Sequence, residues 1–270
     1  MKLRNDLYQV FRYSKTPAGL YARQKWLGEA ENSQWKIDYQ ETVSDLSAAQ
    51  SADGSWRHET IATIKRLFGL HLTVRSRNAQ IEAALNWLLE HIEIQTDKVQ
   101  VSAEDVASVA DLRSLPFVSG RPDMLLSAAT LFLAAIFDRG NDPDVLAVYQ
   151  WLSAEWVKNK GLWFDRPCSH NIFRAMVVHP VFAKDKVVAL AVEYLAGLQT
   201  ENGGWGDDLS FYQTLNALAH LDLPQAESQL ENAFKRIYEN QNLDGTWSRS
   251  EPEWNTFLAI HALKLSLIHI

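Results

Sequence analysis

The chain has one cysteine in 270 residues, Cys168, so it cannot form an internal disulfide, and this sparse use fits a reducing compartment. It has no apolar run near the roughly 18 residues that span a bilayer, and its first fifteen residues, MKLRNDLYQVFRYSK, lack the apolar stretch of a signal peptide. The expectation is therefore a cytoplasmic protein with no transmembrane segment. Positive charge is also short: 26 Lys and Arg stand against 33 Asp and Glu, a net −7, which argues against a nucleic-acid partner or an anionic membrane surface. Charged residues make up only 22% of the chain against 47% hydrophobic, a balance that predicts one domain, residues 1–270, with a large core.

Tryptophan, by contrast, is abundant, and three of the ten sit in a recurring turn of the form Gln-x-x-x-Gly-x-Trp. The copies are Gln50, Gly54 and Trp56; Gln199, Gly203 and Trp205; and Gln241, Gly245 and Trp247. A worn copy keeps Gly161 and Trp163 but has Val157 in place of the glutamine. Gly161, Gly203 and Gly245 are spaced 42 residues apart, and a fixed period of that length filled with helical patterning means a repeated helical hairpin. Apolar residues recurring at three and four predict twelve helices, approximately 3–13, 17–29, 34–50, 58–73, 78–93, 122–137, 143–158, 168–178, 184–199, 208–221, 225–240 and 252–267. Helices that end in a glutamine-bearing turn form one class and those that follow Gly-x-Trp another, the outer and inner rings of the fold that the resemblance given below implies. Residues 94–121 break the period as an insertion at the Gly-x-Trp end, either a lid over the barrel mouth or an excursion packed on the outer ring.

The Gln-x-x-x-Gly-x-Trp turn resembles the motif of the squalene and hopene cyclases, found in looser form in protein prenyltransferase β subunits. That resemblance implies an all-α fold, an α/α toroid of six helical hairpins in which the turn braces the barrel and performs no chemistry. In the cyclases a strong acid in an Asp-x-Asp-Asp motif protonates the substrate. This chain lacks that motif and the DDxxD magnesium cluster, and Asp207 and Asp208 come nearest. Prenyltransferases hold zinc with Asp-x-Cys at one inner-helix start and a histidine at the next. Here Asp165 and Cys168 are one residue further apart than that pattern, and Gln213 stands where the histidine is expected. An amide is a poor zinc ligand, so no metal or other cofactor is expected, although His170 offers a substitute imidazole.

Inner helices that all begin at one end would ring one opening with unpaired amides and positive dipole ends. Arg57, His58, Arg121, Arg166 and His170 fall near those starts, which predicts a reception for an anionic head group, although neighbouring acids would offset part of that field or simply cap helices. Tyr212, Gln213 and Trp254, with Phe132, Phe173, Phe211 and Phe257, are candidates to line an apolar cavity suited to an isoprenoid-like ligand, or to fill the barrel as plain core. His71, His179, His220 and His261 follow their turn glycines by 17, 18, 17 and 16 residues. One-residue differences rotate side chains by about 100°, so this spacing predicts helix-end imidazoles rather than a shared cluster. The resemblance implies binding or transfer of an isoprenoid-like ligand. A carbohydrate-active barrel using Asp165 with Asp207 or Asp208, and a partner-binding scaffold without chemistry, are the alternatives.

Overall fold

A computed structural model describes residues 3, 5–91, 115–118, 121–159, 161–206 and 209–269. Eleven α-helices carry the described chain: α1 (Pro17–Lys25), α2 (Ser33–Ser47), α3 (Thr60–Thr73), α4 (Ala79–His91), α5 (Pro122–Ile136), α6 (Pro143–Lys158), α7 (Arg166–Val178), α8 (Lys186–Leu198), α9 (Phe211–Leu218), α10 (Pro224–Glu239) and α11 (Pro252–His269). Proline opens several of them, where its missing N–H costs nothing, and side chains cap others: Thr16 for α1, Asn32 for α2, Asp165 for α7 and Asp185 for α8.

The inner helices α1, α3, α5, α7, α9 and α11 neighbour one another in that order, and α11 returns to α1, closing a ring. The intervening α2, α4, α6, α8 and α10 pack outside. The fold is thus the all-α, double-ringed barrel that the resemblance implies. Its sixth outer position is a correction, because the expected first helix over 3–13 is only a 3-10 turn at Gln9–Phe11. Asp6 accepts a hydrogen bond from the Tyr8 amide and pairs with Arg12, which favours a local turn over a helix. Likewise, the helix expected over 17–29 stops at Lys25, ahead of a left-handed Gly28.

The three intact turns share one set of bonds. Each glutamine Nε2 donates to its own turn-glycine carbonyl and to a carbonyl of the next outer element: Gln50 to Gly54 and Gln80, Gln199 to Gly203 and Gln229, Gln241 to Gly245 and Asn5. The N-terminal segment therefore takes the place of an outer helix and closes the ring. Gly54, Gly203 and Gly245 have φ of 96°, 78° and 83°. A Cβ would lie 2.3, 2.4 and 2.0 Å from the carbonyl oxygens of Ala83, Asn232 and Asp6, so conformation and space both demand glycine. Trp56, Trp163, Trp205 and Trp247 are almost fully buried, each with its indole N–H bonded.

Candidate functional site

The inner wall is aromatic. Phe68 and Phe132 stack at 5.2 Å, and Phe117 meets both edge-on at 5.5 and 5.7 Å. On the facing side Phe257 stacks against Trp254, Trp26 and His261. Between these walls lies a central cavity of about 600 Å³, roofed by Pro116 and reaching down to the ends of the inner helices. Exposed Asp138, Asn141 and Pro180 belong to its rim, so the cavity opens at the end where inner helices finish.

At the opposite end, where inner helices begin, residues 115–118 lie across the mouth. Leu115 and Phe117 are buried, and Gln213 Nε2 donates to the carbonyls of both at 3.1 Å. Asn171 grips the same strand of chain: its Oδ1 accepts from the Val118 amide at 2.9 Å and its Nδ2 donates to the Val118 carbonyl at 3.0 Å. Of the 94–121 insertion, only 115–118 and Arg121 fall within the described residues. A smaller apolar recess of about 370 Å³ lies beside this strap, between α1, α3 and α11, and shares Phe68, Leu72 and Trp254 with the central cavity.

The cavity's polar groups come from the far ends of the inner helices. Arg174 of α7 is 2% exposed, and no carboxylate among the described residues pairs with it. Its Nη1 and Nη2 both donate to Asn216 Oδ1 at 3.2 Å, and Nη1 also to the Gln213 carbonyl at 3.3 Å. Burial lowers its pKa to about 9, so it remains charged at neutral pH. An arginine can only donate, which fixes the Asn216 carbonyl toward it and the Asn216 amide toward His261 Nδ1, 3.0 Å away. His261 therefore accepts at Nδ1 and carries its proton at Nε2. Burial pushes both His71 and His261 down to about 4, with Arg75 adding to the effect on His71 and Arg174 to that on His261. Both are neutral imidazoles. His220, 5.5 Å from His261 between ring centroids, completes the set.

Three of the four spaced histidines thus line one cavity, contrary to the reading that they need not converge. His179 goes elsewhere: its Nε2 bonds the Gly140 carbonyl and its Nδ1 accepts from Val181 and Phe182, closing the turn after α7. The sequence carried the signal in the common offset, but curvature of the ring, not the helical rotation alone, decides where the side chains meet. Arg174 was missed altogether, although an arginine inside the apolar stretch HNIFRAMVV was visible.

The residues expected at the inner-helix starts are placed as follows. The Arg57 side chain is 77% exposed with Glu59 at 4.0 Å, and the exposed His58 pairs with Asp53 at 2.8 Å. Arg121 pairs with Asp123 at 2.5 Å and lies over the Phe164 ring, while Arg166 is exposed on the first turn of α7. Asp165 caps the Cys168 amide at 2.7 Å, and Cys168 is buried, with burial and then Asp165 pushing its thiol up to about 12. His170 faces Thr214 at 3.2 Å and is pushed down to about 3 by burial. Tyr212 sits edge-on to Phe211 near Arg236 rather than in the cavity, and Trp254 lines it. Phe173 lines a small recess behind α7. Asp207 and Asp208 lie outside the described residues. Among the described residues, no group of three or more His, Cys, Asp or Glu is placed to hold a metal ion, and no helix is long and apolar enough to cross a membrane.

No family model matches the sequence, and no curated protein does. Solved structures do. The chain superposes on the type II terpene cyclase MstE from Scytonema with a TM-score of 0.62 at 12% identity, covering 98% of this chain and 90% of that one. It also matches a protein from Actinoplanes with a TM-score of 0.60 at 16% identity, over 97% of this chain and 90% of its counterpart. The chain shares a terpene-cyclase-like helical fold. Identity this low speaks to fold alone.

Proposed function

We propose that this protein binds an isoprenoid-like, amphiphilic ligand with an anionic head in the central cavity of its barrel. The observation that carries this reading is the cavity itself: about 600 Å³ of space walled by Phe68, Phe132, Trp254 and Phe257, with a few polar groups gathered at one end. That size and composition are those of a small-molecule site, with apolar walls for affinity and convergent polar groups for orientation. A type II terpene cyclase of the same fold lends the ligand class plausibility by analogy.

Binding, or transfer to a second substrate, fits better than cyclisation begun by protonation. Among the described residues the cavity's carboxylate is Asp138, exposed at the rim, where a proton donor to an alkene would need to be buried and unpaired. His71 and His261 are neutral and weakly basic, so they hold few protons at neutral pH.

The test is thermal. Farnesol added to the protein should raise its melting temperature, because a ligand confined to the folded state stabilises it with the logarithm of its concentration. Ile136→Trp, which places an indole in the cavity wall, should abolish the rise. An unchanged melting temperature in the wild type, or an equal rise in Ile136→Trp, contradicts the cavity as the site.

A further inference from the structure

Arg174 is a buried cation with donors to spare. Guanidinium offers five N–H groups in a fixed fork. Asn216 Oδ1 sits end-on, 3.2 Å from both Nη1 and Nη2, and the Gln213 carbonyl takes a further N–H of Nη1. The side-on edge is left over: Nε is buried with no partner, and Nη2 has one N–H not directed at Asn216. That edge, two parallel N–H groups, is the one that pairs with both oxygens of a carboxylate.

The surroundings set how much charge a partner can bring. The cavity's titratable and charged groups are Arg174 from α7; His71 from α3 and Arg75 just after it; His220 from the turn after α9; His261 from α11; Tyr21 from α1; and Asp138 from the turn after α5. The histidines His71 and His261 are neutral, for the reasons given above. Arg75 lies over the Tyr21 ring at 5.3 Å and bonds Gln24, and exposed Asp138 stands on the rim with opposite sign. Of these charges Arg174 is the one that is buried, Arg75 being half-buried and Asp138 exposed. A diphosphate brings more than one negative charge, and every buried charge left unmatched costs several kcal/mol.

We infer that the polar end of the cavity is a monoanion site, in which the side-on edge of Arg174 receives the carboxylate of a long apolar acid and the Nε2–H of His261 supplies a further donor. This rests on the cavity being the ligand site as proposed above, and it adds the chemical class of the head group and its location. It also accounts for the expense of the arrangement, since an arginine buried away from any acid lowers stability until its partner arrives.

Three probes with one shared tail test it by calorimetric titration: farnesoic acid, farnesol and farnesyl diphosphate. The wild type should bind the acid about tenfold or more tighter than the alcohol, as a charge-assisted pair does, and tighter than the diphosphate. Arg174→Met should bind acid and alcohol alike. Asn216→Asp, which places a carboxylate against Arg174 within the protein, should lose the preference for acid while the ligand-free protein melts higher. Both variants must still bind farnesol, which shows that the cavity survives. Equal affinity for acid and alcohol in the wild type, tightest binding of the diphosphate, or a preference for acid that persists in Arg174→Met would overturn the head-group assignment and leave the cavity reading standing. No binding of any probe to the wild type would overturn both.

Discussion

Two arginines are buried among the described residues, Arg23 at 3% exposure and Arg174 at 2%, and their surroundings are opposite. Arg23, on α1 near the N-terminal corner, donates to Glu29 at 2.8 Å, to Asp38 at 2.8 Å and to the Ser14 carbonyl at 3.1 Å. Asp38 in turn is held by Gln34 and Lys15. Arg23 thus meets two carboxylates and a carbonyl through Nε and Nη1, and the group ties α1 to α2. Arg174 has an amide, one carbonyl and an idle edge. The same side chain at nearly the same burial serves the fold in one place and waits for a partner in the other. Satisfaction, not burial, separates a structural ion pair from a binding group.

That contrast can be broken most forcefully at Asp38. Asp38→Asn should destabilise the protein by about 2–3 kcal/mol in urea unfolding, because Arg23 keeps Glu29 but loses a buried, charge-assisted hydrogen bond. Arg174→Met should be neutral or stabilising in the same assay, because no acid is left behind. A large loss in the second variant would mean that Arg174 is already satisfied.

Acid should separate the two regions as well. Asp38 has a folded pKa lowered to about 2 against 3.8; burial opposes this, but the hydrogen bonds of Arg23, Gln34 and Lys15 outweigh it. Its contribution is therefore present above pH 3.8 and is lost as the pH falls toward 2. His71 and His261 have folded values lowered to about 4 from 6.5. The unfolded chain takes up these protons first, so stability falls as the pH drops from about 6.5 to 4. His71→Gln should shrink that upper phase by about half, His261 supplying the rest, and leave the lower one unchanged, as followed by thermal melts across the range.

The strap gives a smaller effect. Gln213→Ala removes the donor to the Leu115 and Phe117 carbonyls and should cost about 1–2 kcal/mol. Amide exchange at residues 115–118 should quicken. Smallest of all is Arg57→Ala at the exposed start of α3, expected within about 0.5 kcal/mol of wild type.

Much of the fold was legible because the turns impose it. A 42-residue period, glycines at positive φ that touch a neighbouring carbonyl, and glutamines that reach the next repeat are local rules that repeat, so reading one copy reads them all. The N-terminal segment broke the reading because Gln241 needs only a carbonyl from Asn5, not a helix, to close the ring. The cavity was harder. In sequence Gln213 reads as a degraded metal ligand, yet its amide clasps a segment more than ninety residues away, a pairing invisible in local sequence. Arg174 and the three cavity histidines come from four different repeats, and only the closed ring brings them to one end of the cavity.

The most direct test sets the polar end of the cavity against the inner-helix starts. Arg174→Met and Arg121→Ala each remove one arginine, and the rise in melting temperature on adding saturating farnesoic acid is measured for both alongside wild type. The monoanion site predicts that Arg121→Ala responds as wild type does, while Arg174→Met loses most of the rise; a full response in Arg174→Met with a lost one in Arg121→Ala would move the head group to the helix starts and contradict the account.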